Sequence, residues 1–182
     1  MDNELKRSVD YSRKRLQAIR NCEGHVADIL WKTTQKVITA SKRYRGAGRL
    51  TNESALLSYA KNVTADAEES INSYISAYSK ASCKILGIDS ENIESFLVSD
   101  IYGKTTSERN AVYLGNFAED IVRMIKAGTL MEYSDQQLLS SIRTGYKDPY
   151  HTSVITKAKR KDINIDVPSY GKGYYKNAYQ NI

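Results

Sequence analysis

The chain has 182 residues, 41% of them hydrophobic and 26% charged, with a net charge of +6. Those proportions argue against a disordered or collagen-like polymer and fit one ordinary domain, or one core with an extended arm. The two cysteines, Cys22 and Cys83, have no Cys-x-x-Cys or Cys/His cluster around them, which argues against a disulfide framework or a zinc site.

The charge is unevenly distributed. Residues 1–49 carry 12 Lys and Arg against 5 Asp and Glu, residues 50–142 carry 7 against 13, and residues 143–182 carry 8 against 3. Basic ends around an acidic middle fit nucleic acid at the ends. They fit equally well ends and middle that meet, within one chain or between copies. The second reading is preferred because the chain already contains its own acidic partner.

The start, Met-Asp-Asn-Glu-Leu-Lys-Arg, is charged and does not read as a signal peptide, and no apolar run approaches membrane-spanning length. The expectation is a reducing cytoplasm, bacterial or host, with no membrane partner. The Asn52-Glu-Ser54 and Asn62-Val-Thr64 sequons then read as chance matches.

From about Asn3 to Ala40, Leu5, Val9, Leu16, Ile19, Cys22, Val26, Ile29, Leu30, Val37 and Ile38 recur at helical steps. Gly24 is the weak point of this first helix. Arg43-Tyr-Arg-Gly-Ala-Gly-Arg49 breaks the pattern, with Gly46 and Gly48 suited to a tight reversal. A second long helix follows, capped near Thr51 and carrying Leu56, Ala60, Val63, Ala67, Ile71, Tyr74, Tyr78 and Ile85, with Gly87 as its stop. Two long helices joined by a short glycine turn predict an antiparallel helical hairpin. Cys22 and Cys83 fall on its apolar stripes, where a free Cys packs as a small hydrophobe.

Three shorter helices are expected next. Asp89 or Ser90 opens one with Ile93, Phe96, Leu97 and Ile101, ended by Gly103. Thr105-Thr-Ser-Glu108 is a capping box that starts a helix with Val112, Phe117, Ile121, Met124 and Ile125, ended by Gly128. Ser134-Asp-Gln-Gln137 is a second box, for a helix with Leu138, Leu139 and Ile142, ended by Gly145. The fold class is therefore all-α: a long antiparallel helical hairpin, shorter helices, then a basic, Tyr-rich irregular segment. Residues 1–145 form the helical domain and residues 146–182 the extension. There Pro149 breaks any helix, Ile163, Ile165 and Val167 alternate as a short strand would, and Tyr175, Ala178, Tyr179 and Ile182 return to helical spacing. The pattern is still running at Ile182, which points to a longer protein.

Little in the chain could carry chemistry. His25 and His151 have no Cys, Asp or Glu at metal-ligand spacing, and no GxSxG, P-loop, GxGxxG or HExxH occurs. Glu68-Glu69 and Glu119-Asp120 are adjacent on helices, so their carboxylates diverge and read as solvated surface. Arg109 reads as half of a structural ion pair. No catalytic residue, metal or cofactor is expected. The candidate contact residues for nucleic acid or for subunits are Arg13, Lys14 and Arg15 on the first helix, and Lys157, Lys159, Arg160, Lys161, Tyr174 and Tyr175 in the tail.

The run Gly103-Lys-Thr-Thr-Ser-Glu-Arg109, the helix through Ile121 and Ile125, and Tyr133-Ser-Asp-Gln-Gln-Leu138 with Ile142-Arg143 resemble the middle of phage minor head proteins, the head-morphogenesis (MuF-like) family. The tail from Tyr170 to Ile182 resembles the start of that family's next helix. The resemblance covers about residues 100–182 and leaves residues 3–86 without a family mark. It implies a phage or prophage structural protein of head assembly, without catalytic residues, in contact with capsid or portal subunits. Self-association and DNA binding through the basic ends are further expectations, and a helical nucleic-acid-binding module is the alternative function.

Overall fold

The computed structural model describes residues 3–87, 89, 103–147, 157–158 and 160–161. The chain is all-α, as its periodicity predicts, with one small hairpin of β-strand among the described residues. Helix α1 spans Asn3–Ser41 without a break. Gly24 does not interrupt it: the residue is exposed and a side chain there would meet nothing within 4 Å. Its penalty of about 1 kcal/mol is small against the packing of so long a helix.

The reversal after α1 is built from backbone pairing. A 3₁₀ turn, Lys42–Tyr44, leads into β1 (Arg45–Gly46), which pairs antiparallel with β2 (Arg49–Leu50), Arg45 facing Leu50 and Gly46 facing Arg49. The two loop residues both have positive φ, 48° at Ala47 and 72° at Gly48. That is the twist-matched geometry of a two-residue hairpin turn, with an alanine where glycine or asparagine is usual. The pivot is thus Ala47-Gly48, and Gly46 is an ordinary strand residue. Thr51 closes the turn by donating its N–H and its hydroxyl to the Tyr44 carbonyl, at 2.7 and 3.0 Å.

Helix α2 (Glu53–Leu86) begins one residue later than Thr51 suggests, with Asn52 as N-cap accepting from the Ala55 N–H. Gly87, left-handed at φ 65°, ends it. Helices α1 and α2 run side by side well away from the turn, as the stacking of His25 on Tyr74 at 4.6 Å between ring centres shows. This is the antiparallel hairpin the sequence predicts.

Helix α3 (Thr106–Leu130) opens on the expected capping box. The Thr105 hydroxyl accepts from the Glu108 N–H at 3.2 Å, and the Glu108 carboxylate accepts from the Thr105 N–H at 2.7 Å. Helix α4 (Asp135–Lys147) opens on the second box, in which Ser134 and Gln137 exchange hydrogen bonds of 2.9 and 3.3 Å. Two stop signals read from glycine are wrong. Helix α3 passes through Gly128 to Leu130, and α4 passes through Gly145 to Lys147. At Gly128 the missing side chain serves packing: a Cβ there would overlap Leu138 of α4. The helix following Asp89 or Ser90, the strand of Ile163 to Val167 and the terminal helical pattern lie outside the described residues.

The core lies between α3 and the lower half of the hairpin. Leu30, Val37 and Ile38 of α1, Leu56, Ala60 and Ile71 of α2, Leu114, Ile121 and Ile125 of α3, and Leu138 and Ile142 of α4 form one buried cluster. Val26 and Val63 are buried in it and Ile29 packs at its edge. Each fully buried aliphatic side chain contributes roughly 1.5–3 kcal/mol. Small Ala60 and Ala67 lie buried on α2, where they let a neighbouring helix approach closely. Three buried hydroxyls are satisfied within their own helices: Thr34, Thr64 and Thr129 donate to the carbonyls four residues back.

Helix α3 runs antiparallel to α2, because Ser107 meets Glu68, Asn110 meets Asn72, Glu119 meets Lys61 and Lys126 meets Glu53. It therefore covers α1 and α2 only on the side nearer the turn. That position leaves the first turns of α1 beyond its reach.

Candidate interaction surfaces

The candidate contact residues fall in two places. Arg13, Lys14 and Arg15 lie on the early turns of α1, all exposed and none in an ion pair among the described residues. Lys157, Arg160 and Lys161 flank a short turn closed by the Lys161 N–H on the Ala158 carbonyl at 2.9 Å. Ala158 is fully buried in the main core cluster, so this basic turn is anchored to the helical body by its one small apolar residue. Lys159, Tyr174 and Tyr175 lie outside the described residues. No described contact brings the two basic groups together.

A third basic group, which the sequence reading passed over as a turn, meets the acidic middle directly. Lys42 and Arg45 both bind the Asp135 carboxylate at the start of α4, Lys42 at 2.8 Å. Burial works against the Asp135 charge, but hydrogen bonds from Lys42 and Arg45 outweigh it and hold the carboxyl below its usual range. This clasp ties the hairpin turn to α4 and joins a basic end to the acidic middle. The hollow beside it, about 460 Å³, is lined by Lys42, Arg45, Glu132 and Asp135, whose charges cancel. Arg143 adds a second tie by lying over the Trp31 ring, 5.7 Å from its centre.

The acidic middle is largely occupied with holding helices together. Lys61 of α2 binds Glu119 at 3.1 Å, and Arg123 bridges Glu119 and Asp120 at 3.4 and 3.3 Å. Asp120 corrects the reading of the Glu119-Asp120 pair as solvated surface. Its side chain is buried and its Oδ2 has no hydrogen-bond partner among the described residues. Burial pushes its pKa up to about 7, against the opposing charge of Arg123. The neighbouring Glu119 charge adds to the rise, and the two carboxylates share Arg123. A polar chain of Glu68, Ser107, Asn72 and Asn110 links α2 to the first turns of α3.

The remaining candidates are structural. Arg109 donates to the Lys104 carbonyl and the Thr106 hydroxyl around the α3 cap. His25 is exposed and stacks on Tyr74. Cys83 is buried and Cys22 half-buried, both as free thiols, and burial raises the Cys22 pKa. Among the described residues no group of three His, Cys, Asp or Glu could hold a metal, and no helix is long and apolar enough to cross a membrane.

Comparison with protein-family models, with curated proteins and with solved structures gives no match. The head-morphogenesis reading therefore rests on the residues that carry the resemblance.

Proposed function

We propose that this protein works by protein–protein contact, as a structural or assembly component, and that its setting is a phage or prophage head close to the portal. The setting is drawn from the resemblance of residues 100–182. The contact reading is supported by one observation above the rest: on the early turns of α1 the apolar Leu5, Val9 and Leu16 and the basic Arg13, Lys14 and Arg15 are exposed. The Asp135 clasp adds that basic and acidic parts of this chain do bind each other. Capsid or portal subunits and further copies of the chain are the partners this reading names. Its location would be the virion or the cytoplasm of the bacterial host.

The alternative is a helical nucleic-acid-binding module, and one observation favours it: Arg13, Lys14 and Arg15 stand exposed and could each neutralise a phosphate. The two readings part on one pair of measurements. Lys157, Lys159, Arg160 and Lys161 are changed together to Gln, and in a second variant so are Arg13, Lys14 and Arg15. Duplex DNA affinity is then titrated at several salt concentrations, and self-association or docking onto portal and capsid subunits is followed by sedimentation. The contact reading expects association to weaken and any DNA binding to change little. A large loss of DNA affinity with a flatter salt dependence and unchanged association would overturn it in favour of the alternative.

A further inference from the structure

We propose that residues 5–19 of α1 form a two-stranded coiled-coil seam for an acidic amphipathic helix of another protein. The inference rests on the contact reading above and names the partner's chemistry. Leu5, Val9 and Leu16 are 55%, 42% and 54% exposed, among the most exposed large apolar side chains described. Their steps of four and seven residues place them within about 40° of one another around the helix, at 3.6 residues per turn. Ile19, half-buried, and Ser12, exposed, complete the same row. With Val9 and Leu16 at position a, Leu5, Ser12 and Ile19 fall at position d of a heptad.

In that frame the flanking charge is regular. Lys6, Arg13 and Arg20 occupy the three successive e positions and Arg15 one of the g positions, all of them exposed. Across a coiled coil, e residues face g residues of a parallel partner or e residues of an antiparallel one. A second copy would therefore set cations against cations in the antiparallel arrangement and Arg20 against Arg15 in the parallel one, with no carboxylate at any of these positions. A helix with Leu or Ile at a and d and Glu at e and g meets both the stripe and its charged edge. The row is also narrow, the width of a coiled-coil seam rather than the broad apolar face that lets a helix lie in a lipid surface.

The test uses the full chain and a labelled synthetic peptide of four heptads with Leu at a and d and Glu at e and g, with its Lys counterpart as control. By fluorescence anisotropy the protein should bind the Glu peptide at least tenfold more tightly than the Lys peptide. Val9→Gln with Leu16→Gln should weaken that binding at least tenfold, and Lys6→Glu, Arg13→Glu and Arg20→Glu together should reverse the peptide preference. Circular dichroism of each variant reports whether the fold is retained. Equal affinity for the two peptides, or binding indifferent to Val9 and Leu16, would overturn the proposal. So would a dimer that the Val9/Leu16 variant dissociates, which identifies a second copy as the occupant. Binding to phosphatidylcholine vesicles containing phosphatidylserine, lost in that variant, with no peptide binding would overturn it in favour of a lipid surface. In each of these cases loss of subunit docking in the basic-residue variants still upholds the contact reading, whereas a DNA-specific loss there removes that reading whatever the peptide does.

Discussion

The two halves of α1 have the same helical pattern and opposite surroundings. In the second half Leu30, Val37 and Ile38 are buried under α2, α3 and α4. In the first half Leu5, Val9 and Leu16 occupy nearly the same arc of the helix and remain exposed, because α3 does not reach them. Periodicity marks which side of a helix is apolar, but only the length and direction of its neighbours determine how far along that side is covered. The second half contributes to the core, whereas Leu5, Val9 and Leu16 in the first half do not.

The largest expected effects lie in the covered half and its neighbours. Ile38→Ala and Ile121→Ala each remove a fully buried side chain and should cost about 2–5 kcal/mol in a denaturant titration. Leu16→Ala should stay within about 0.5 kcal/mol of the parent, as exposed positions usually do. Similar losses at Leu16 and Ile38 would erase the distinction between the halves.

Asp120 sharpens the comparison within the body. Its folded pKa of about 7 lies above the ordinary 3.8, so the folded state holds the proton more tightly. The stability this group adds is full below about 3.8, declines as pH rises through the folded value, and is gone above about 7. At about 1.36 kcal/mol per unit the swing is at most about 4 kcal/mol. Asp120→Asn should therefore stabilise the protein at pH 8 and flatten this part of its pH profile, measured as denaturant midpoints from pH 5 to 8. A variant less stable than the parent at pH 8 would mean that the ion pair with Arg123 outweighs the burial.

Smaller effects follow at the joints. Gly128→Ala should cost about 1–3 kcal/mol, because the fully buried Leu138 cannot move aside. A gain instead would mean that helix propensity decides that position. Thr105→Ala should lose about 1 kcal/mol, the usual value of an N-cap hydroxyl, and an unchanged midpoint would place the start of α3 elsewhere. Ala47→Gly should gain up to about 1 kcal/mol by relieving the left-handed conformation at φ 48°.

Caps and long apolar stripes were legible in the sequence because their physics is local. Thr105 with Glu108 and Ser134 with Gln137 are pairs three residues apart, and the Gly87 stop needs only its own backbone. What the sequence withheld depends on a partner far along the chain. Gly128 reads as a stop until Leu138 is placed against it, and Asp120 reads as surface until α3 turns it inward. Arg45 reads as a turn residue until Asp135, ninety positions away, reaches it. Of the candidate contact residues, the exposure of Arg13, Lys14 and Arg15 follows from their place on the helix, whereas the anchoring of the Lys157 turn through Ala158 does not.

The central claim is that the apolar row on the early turns of α1 is spare, belonging to a partner and not to the fold. The stability of the Val9→Gln, Leu16→Gln protein tests it most directly, because Gln keeps helix propensity and removes the apolar surface. A denaturant midpoint that gives a stability within about 1 kcal/mol of the parent is the predicted result. A loss of several kcal/mol would contradict it, by showing that Val9 and Leu16 are already part of the core.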